Sequence, residues 1–574
     1  MPQRSIAFPL LLILIATGAA FVGLREARSA PGASEARPPE AVLRDLLPDS
    51  PPERLAAALR EAAERRDERF IGPLTDMLQL APSGDLHGAL LAALHELTGE
   101  KLEDSHEPWK DLVRWYGPRT DLKPPPGYLG WKGHLYAQLL DPRFGEFLYD
   151  GAPSAIRVEE IVWGGAYVDG IPALVNPPMR PASEASYLVG EDPVFGATLN
   201  GDSRAYPLRI LDWHEMVDDV VGGRPVALAY CTLCGAGILF DRTVGGATYE
   251  FASSGLLFRS NKLMYDRTTK SLWNQLTGEP VVGKLVGKNL RLAVLPVVLT
   301  SWSEWKGQHP ATKVVDIETG HRRPYEVGAP YGGYFASPAT MFPVWQERRE
   351  LPAKARVFAL AIDGHAKAYP LEAIGRAGAV VNDTLAKRPL VVICRGTAAR
   401  VPLPSVWQQR LRSGGGTGTA AEFADQLSSA QARRALSDDP SLLGMLTPEM
   451  LLAMPVETRL SLLTERSSPE RRGSEATAGM FSADFRNQVA ERGLVGEVRA
   501  YDRGGHTFRP GASIDTIVDE RGRRWRVAEE ELVGPGTERL PRLGAHLAYW
   551  FGWVAFHPET ELYRDESAPV ADPR

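Results

Sequence analysis

The sequence repeats itself once, and this duplication limits the possible folds more than any other feature. Val194 to Leu208, VFGATLNGDSRAYPL, matches Val357 to Leu371, VFALAIDGHAKAYPL. In each stretch a two-residue turn, Asn200-Gly201 or Asp363-Gly364, separates alternating apolar positions, which predicts a β-hairpin. Downstream, Val217-Asp218-Asp219 answers Val381-Asn382-Asp383, Arg224-Pro225 answers Arg388-Pro389, and Phe240-Asp241-Arg242 answers Tyr501-Asp502-Arg503. Asp266 with Trp273 answers Asp519 with Trp525, and Trp302, Trp305, His309 and Pro310 recur as Trp550, Trp553, His557 and Pro558. The expectation is an α+β fold with a β-rich main domain of two tandem repeats, residues 183–345 and residues 352–400 joined to 496–563. A small all-α module precedes it, and a helical insertion, residues 401–495, interrupts the second repeat.

A duplication sorts residues by whether both copies keep them. The turn glycines, the Tyr-Pro-Leu strand ends and the Trp-x-x-Trp-x-x-x-His-Pro ends belong to both, so His309 and His557 read as packing residues. Trp213-His214-Glu215, Cys231 and Cys234 belong to the first copy alone; opposite the triplet the second copy has the largely small residues Gly375 to Ala379. Any chemistry therefore belongs to the first copy.

There, Arg224-Pro225 opens an apolar run, Val226 to Tyr230, that is too short for a helix and reads as a buried strand ending at Cys231. Gly237 to Phe240 reads as the next strand, so Cys231 and Cys234 sit on a tight turn. Such a turn suits a metal knuckle, a thiol pair that cycles with a disulfide, or an inert structural turn. As a metal site for zinc or copper, the pair takes His214 as its third ligand. Glu215 is a further ligand, an orienter of the imidazole or a solvent-side charge. Asp241-Arg242 and Asp266-Arg267 read as ion pairs at strand ends, with a pocket around the cysteine turn, walled by Trp273, as the functional alternative. Cys394 aligns with Tyr230, one residue short of Cys231, and an offset of one reverses the face of a strand.

Leu208 to Trp213-His214-Glu215, the Tyr230-Cys231-x-Leu233-Cys234-Gly235 turn, Ser254-Gly255-Leu256-Leu257, and Tyr265-Asp266-Arg267 with Trp273 resemble the signature of the domain of unknown function 3179 family. The resemblance spans roughly Ala155 to Tyr563, apart from the insertion, and implies little chemistry because the family has no settled activity.

The rest of the chain bears on location and partners. Arg4 precedes an uncharged run from Ile6 to Leu24, and Ala27-Arg28-Ser29 offers a small-x-small cleavage site, so residues 1–30 read as an export signal or an uncleaved membrane anchor. The body is then expected in the periplasm or otherwise outside the cytoplasm. Three cysteines in 574 residues cannot form a disulfide framework, and a net charge of −6 offers no basic field for nucleic acid. After a linker, residues 31–49, Ser50-Pro51-Pro52-Glu53 predicts a capping box that opens a first helix. A second helix is expected near Arg69 to Leu80, a third from an Asp85 cap to Gly99, and a fourth from Pro108 to Tyr116. This module, residues 50–120, resembles HEAT-like repeats, which implies packing or protein binding. Residues 121–182 read as a connecting segment. The insertion opens with Ser413-Gly414-Gly415-Gly416-Thr417-Gly418 and reads as a lid or a partner-binding arm. The functional expectation is an exported envelope protein with a metal or thiol-redox site; the alternative is a non-catalytic binding or scaffold protein that recruits a protein partner through the helices or the insertion.

Overall fold

The computed structural model describes residues 37–81, 83–325, 330–331, 334–335, 337–400, 494–513 and 515–564. The expected export segment, and the expected insertion save Leu494 and Val495, lie outside the described residues. The chain divides into two compact units, one ending at Val162 and including Val282–Val286, the other formed by the remainder. No helix among the described residues is long and apolar enough to cross a membrane.

The first unit is helical: α1 (Pro39–Asp45), α2 (Pro52–Glu64), α3 (Ile71–Leu80), α4 (Asp85–Thr98), α5 (Pro108–Tyr116) and α6 (Tyr128–Leu139). Two of these depart from the expectation. Helix α1 lies inside the expected linker, and α6 lies inside the expected connecting segment. Helix α6 buries Tyr128, Trp131, Leu135 and Tyr136 at helical spacing, and its glycines disguised it as a loop. Gly133 permits close packing, since a Cβ there would stand 1.6 Å from the Leu148 carbonyl oxygen. The expected caps also differ. Ser50 does not cap α2; its hydroxyl donates to the Arg44 carbonyl and Pro51 holds the cap position. Asp85 is the first helical residue of α4 rather than its cap, while Gly99 ends that helix in the left-handed region at φ 75°.

The second unit carries the duplication. In the first copy, β1 (Pro193–Leu199) and β2 (Asp202–Pro207) form the predicted hairpin, and α7 (Leu208–His214) follows. Next come β3 (Met216–Val221), β4 (Arg224–Cys231) and β5 (Ala236–Asp241), then a second antiparallel set, β6 (Phe251–Phe258), β7 (Asn261–Asp266) and β8 (Leu272–Asn274). Strand β9 (Val298–Ser301) returns to pair with β1, α8 (Trp302–Gln308) follows, and β10 (Lys313–Val315) runs parallel to β2. In the second copy the same order recurs: β11 (Arg356–Ile362), β12 (His365–Pro370), α9 (Leu371–Arg376), β13 (Val380–Leu385), β14 (Arg388–Arg400) and β15 (Leu494–Asp502). Strands β16 (Thr516–Val518) and β17 (Arg524–Val527) follow, β18 (His546–Tyr549) pairs with β11, α10 (Trp550–Val554) follows, and β19 (Glu561–Leu562) runs parallel to β12.

The copies match in side-chain detail. Tyr206 donates to Asp219 and Tyr369 to Asp383, each at 2.8 Å, and the Trp273 and Trp525 indoles donate to Asp266 and Asp519, each at 3.0 Å. His309 lies 4.0 Å from the Trp305 ring and His557 4.0 Å from the Trp553 ring, centroid to centroid. Both histidines are thus packing partners of the tryptophans four residues before them.

One apolar core joins the copies, with Phe195, Tyr206 and Leu228 from the first meeting Phe358, Tyr369, Val392 and Leu547 from the second. Each copy also rests its central hairpin on the other. The Tyr549 N–H donates to the Cys234 carbonyl at 2.7 Å, and the Gln308 amide donates to Glu497 at 3.1 Å.

Candidate functional site

Strand β4 is buried on both faces from Val226 onward, as a continuous apolar run requires. It pairs through to its last residue, with Cys231 opposite Ala236, so Thr232 to Gly235 form the whole turn. Gly235 turns the chain at φ 58°, and a Cβ there would lie 3.0 Å from the Tyr549 ring. The turn brings Cys231 and Cys234 to 3.3 Å from each other, both as free thiols and both at most 1% exposed. A disulfide needs about 2.0 Å between sulfurs, so the pair sits a small movement away from bonding.

The surroundings treat the two sulfurs differently. Burial disfavours a thiolate at Cys231, but a hydrogen bond from Cys234 and the backbone N–H groups of Lys262 and Cys234 outweigh it and hold this thiol below its ordinary value. Burial pushes Cys234 well above the ordinary range, and the neighbouring Cys231 adds to the rise. The Cys234 sulfur also lies 3.2 Å from the Ser260 carbonyl oxygen, and the Asn261 amide approaches it at 3.5 Å. Asn261 also donates to Gln275 at 2.7 Å, and Gln275 donates to the carbonyls of Ala229 and Ala236, so an amide chain ties β7 to the cysteine hairpin.

Beside the cysteines lies a buried ion pair. The Lys262 ammonium is 3.2 Å from the Glu215 carboxylate and also donates to the carbonyls of Glu215 and Tyr230. Lys262 is 4% exposed and Glu215 6%. Burial lowers the Lys262 pKa, against the opposing pull of Glu215 and Cys231. Glu215 adopts φ 53° just past α7, and its carbonyl accepts the Tyr230 N–H at 2.7 Å. Its carboxylate also accepts from Thr232 and Tyr331 at 3.4 Å each, and Tyr334 donates to the Leu233 carbonyl at 2.6 Å.

His214 is used elsewhere. Its Nδ1 lies 2.7 Å from the Pro172 carbonyl and its Nε2 2.6 Å from the Tyr325 hydroxyl. A carbonyl only accepts, so Nδ1 carries the proton and Nε2 accepts from Tyr325. Burial lowers the His214 pKa to about 4, which keeps the ring neutral. With both nitrogens engaged, the imidazole offers the sulfurs no ligand. Among the described residues the grouping of donors close enough for one cation is instead His506, Asp519 and Glu520, and there Asp519 is already hydrogen-bonded to Trp525 and Arg523.

The remaining expected site residues are spread out. Asp241 pairs with Arg224 at 2.8 Å and stands opposite Val226, about 17 Å along the hairpin from Cys231 at strand rise. Arg242 donates to the Tyr249 carbonyl; Asp266 accepts from Trp273; Arg267 pairs with Asp169 and Glu250. Arg224–Asp241 and Asp266–Trp273 recur as Arg388–Asp502 and Asp519–Trp525, which marks them as architecture. The Cys394 N–H donates to the Ala379 carbonyl just as Tyr230 donates to Glu215, so Cys394 does take the place of Tyr230. Burial pushes its thiol up to about 11, with Glu497 and Glu304 adding to the effect. Lys262 was not anticipated, although comparing the copies could have found it: four residues before the shared aspartate the second copy has Asp515.

Residues 168–439 match the model of a family described as protein of unknown function (DUF3179). No curated protein and no solved structure matches the chain. None of the three comparisons supports the HEAT-like resemblance of the helical module.

Proposed function

We propose that this chain, whose residues 168–439 match the DUF3179 family of proteins of unknown function, is an exported envelope protein whose first repeat carries a dithiol–disulfide site at Cys231 and Cys234. One observation carries the proposal: two free thiols lie 3.3 Å apart on a turn where hydrogen bonds favour a thiolate at Cys231 and burial keeps Cys234 protonated. That asymmetry suits a nucleophile and a resolving partner. Export rests on the uncharged Ile6 to Leu24 run, and in an oxidising compartment such a pair has a use.

As a metal site, the pair supplies two soft sulfur donors, which fit a thiophilic ion such as Cu(I) better than zinc. A four-ligand zinc site lacks its expected third member, because both His214 nitrogens are hydrogen-bonded. The near-zero exposure of both sulfurs favours a second reading, a binding or scaffold protein in which the cysteines are core side chains.

The experiment is thiol accounting on the native protein prepared from the envelope fraction. Free thiols are counted in denaturant before and after reduction, with metal analysis alongside. Two thiols that disappear with oxidised glutathione and return with a reductant support the site. Thiols that stay reduced at every redox poise leave the scaffold reading standing, and stoichiometric metal lost in Cys231→Ser would favour the metal reading. A reporter carrying residues 1–40 that stays in the cytoplasm would remove the envelope assignment.

A further inference from the structure

We propose that Lys262 and Glu215 are positioning residues of the thiol pair, an ion pair that sets the balance between its dithiol and disulfide states by placing opposite charges beside Cys231. This rests on the dithiol reading and deepens it. The argument begins with a cost: a buried Lys–Glu pair is a poor way to stabilise a fold, because desolvating both charges offsets their attraction. The second copy has no Lys–Glu pair at these positions. There Ala379 replaces Glu215 in the same left-handed conformation, φ 68° against 53°, and accepts the same backbone hydrogen bond. In the place of Lys262 the second copy has Asp515, about half exposed, and in the place of Cys231 it has Arg395, paired with Asp515 and Glu497. The cysteines and the buried pair are therefore present together in one copy and absent together in the other.

Geometry gives the pair its role. The Lys262 ammonium reaches Glu215 and the Tyr230 carbonyl, one peptide before Cys231. The carboxylate of Glu215 and the ammonium of Lys262 both act electrostatically on Cys231. Oxidation by a small organic disulfide runs in two exchanges. The Cys231 thiolate attacks one sulfur of the substrate, whose S–S bond breaks and releases one thiolate. Cys234 then loses its proton and attacks the Cys231 sulfur, releasing the second thiolate and closing the internal disulfide. The substrate gains two electrons and leaves as two thiolates, one of which takes up the Cys234 proton and the other a proton from solvent. In the reduced state a thiolate at Cys231 faces the Lys262 cation, whereas in the disulfide that negative charge is gone. Lys262 thus stabilises the reduced state and Glu215 opposes it.

The two residues should move the equilibrium in opposite directions. With the full chain at pH 7 in glutathione redox buffers, Lys262→Met is expected to shift the equilibrium about tenfold towards disulfide, a potential lower by about 30 mV, and Glu215→Gln to shift it by a similar factor the other way. The double variant, with neither charge, should fall close to wild type. A merely structural pair would destabilise the fold in both single variants without opposite shifts in potential. Where a single variant fails to fold, Lys262→Gln, or Glu215→Ala with the residue that the second copy tolerates, is measured instead. Equal or same-sign shifts in a protein that still forms its disulfide would overturn the role of the pair. Failure of the wild type to form a disulfide at any poise would instead overturn the dithiol reading beneath it.

Discussion

Asp218 and Asn382 hold the same place in the two copies, and each reaches the backbone of a phenylalanine across the adjoining strands. Asn382 makes two bonds, accepting the Phe508 N–H and donating to the Phe508 carbonyl, both at 2.7 Å. Asp218 makes one, accepting the Phe251 N–H at 2.7 Å, and its other oxygen has no partner among the described residues. An amide can give and take at such a site, whereas an ionised carboxylate can only take. Burial raises the Asp218 pKa to about 7.

Asp218 therefore makes stability depend on pH. Its folded pKa lies above the unfolded value, so its contribution is complete below about pH 4 and is lost as pH rises through about 7. Asp218→Asn, which copies the second repeat, should stabilise the protein at pH 8 by about 3 kcal/mol and have little effect at pH 4.5. Urea unfolding at the two pH values measures this; equal effects at both would show that Asp218 is ionised throughout.

The buried histidines work in the opposite direction. Burial lowers His214 and His557 to about 4 and His546 to about 3. Their folded values lie below the unfolded one, so their stabilisation is present above about pH 6.5 and disappears as pH falls towards 4. Between pH 7 and pH 4.5 the protein should lose several kcal/mol, partly masked by Asp218. In an Asp218→Asn background the loss should steepen, and a flat profile there would contradict neutral buried imidazoles.

Removing one partner of the Lys262–Glu215 pair leaves the other charge buried and uncompensated. Lys262→Met alone should cost about 3–5 kcal/mol, and adding Glu215→Gln should recover most of that. A double-mutant cycle in denaturant measures the coupling. Additive losses would mean that the two side chains do not meet in solution.

The boundary of the insertion gives a fourth expectation. Strands β14 and β15 are paired to their ends, with Arg400 opposite Leu494. Joining these two residues through Asn-Gly should close the hairpin as a two-residue turn and leave the melting temperature within about 5 °C of the full chain. Loss of the cooperative transition would show that residues 401–493 contribute to the core.

The duplication was legible because its marks are covalent neighbours. The Trp305–His309 and Trp553–His557 contacts repeat at one local spacing, and the Arg224–Asp241 and Arg388–Asp502 pairs close hairpins that the sequence pattern already announces. The cysteine turn was legible for the same reason. What the pattern concealed depends on packing between distant segments. Lys262 meets Glu215 across 47 positions, and no periodicity reports that. His214 looked like a ligand because it precedes the cysteine strand, yet its ring bonds to Pro172 and Tyr325, a choice made by how α7 is oriented. Helix α6 was missed because Gly130 and Gly133, which loosen a helix in isolation, are there to let it sit against residues 148–150.

The hydrogen bond from Tyr549 to the Cys234 carbonyl also sets an order in time. The cysteine turn is finished early in synthesis, but the residues that close over it, Tyr549 and Gly552, arrive only after roughly half the chain has followed. A Cβ at position 552 would stand 3.1 Å from that of Cys234, so once the last repeat docks there is no slack around the sulfur. A newly made chain thus passes through a period in which both thiols are open to whatever oxidant, reductant or metal its surroundings hold. The state with which the pair first enters the folded protein is set in that period, and any later exchange with a small disulfide has to pass through a local opening of the docked repeat around Tyr549 and Gly552.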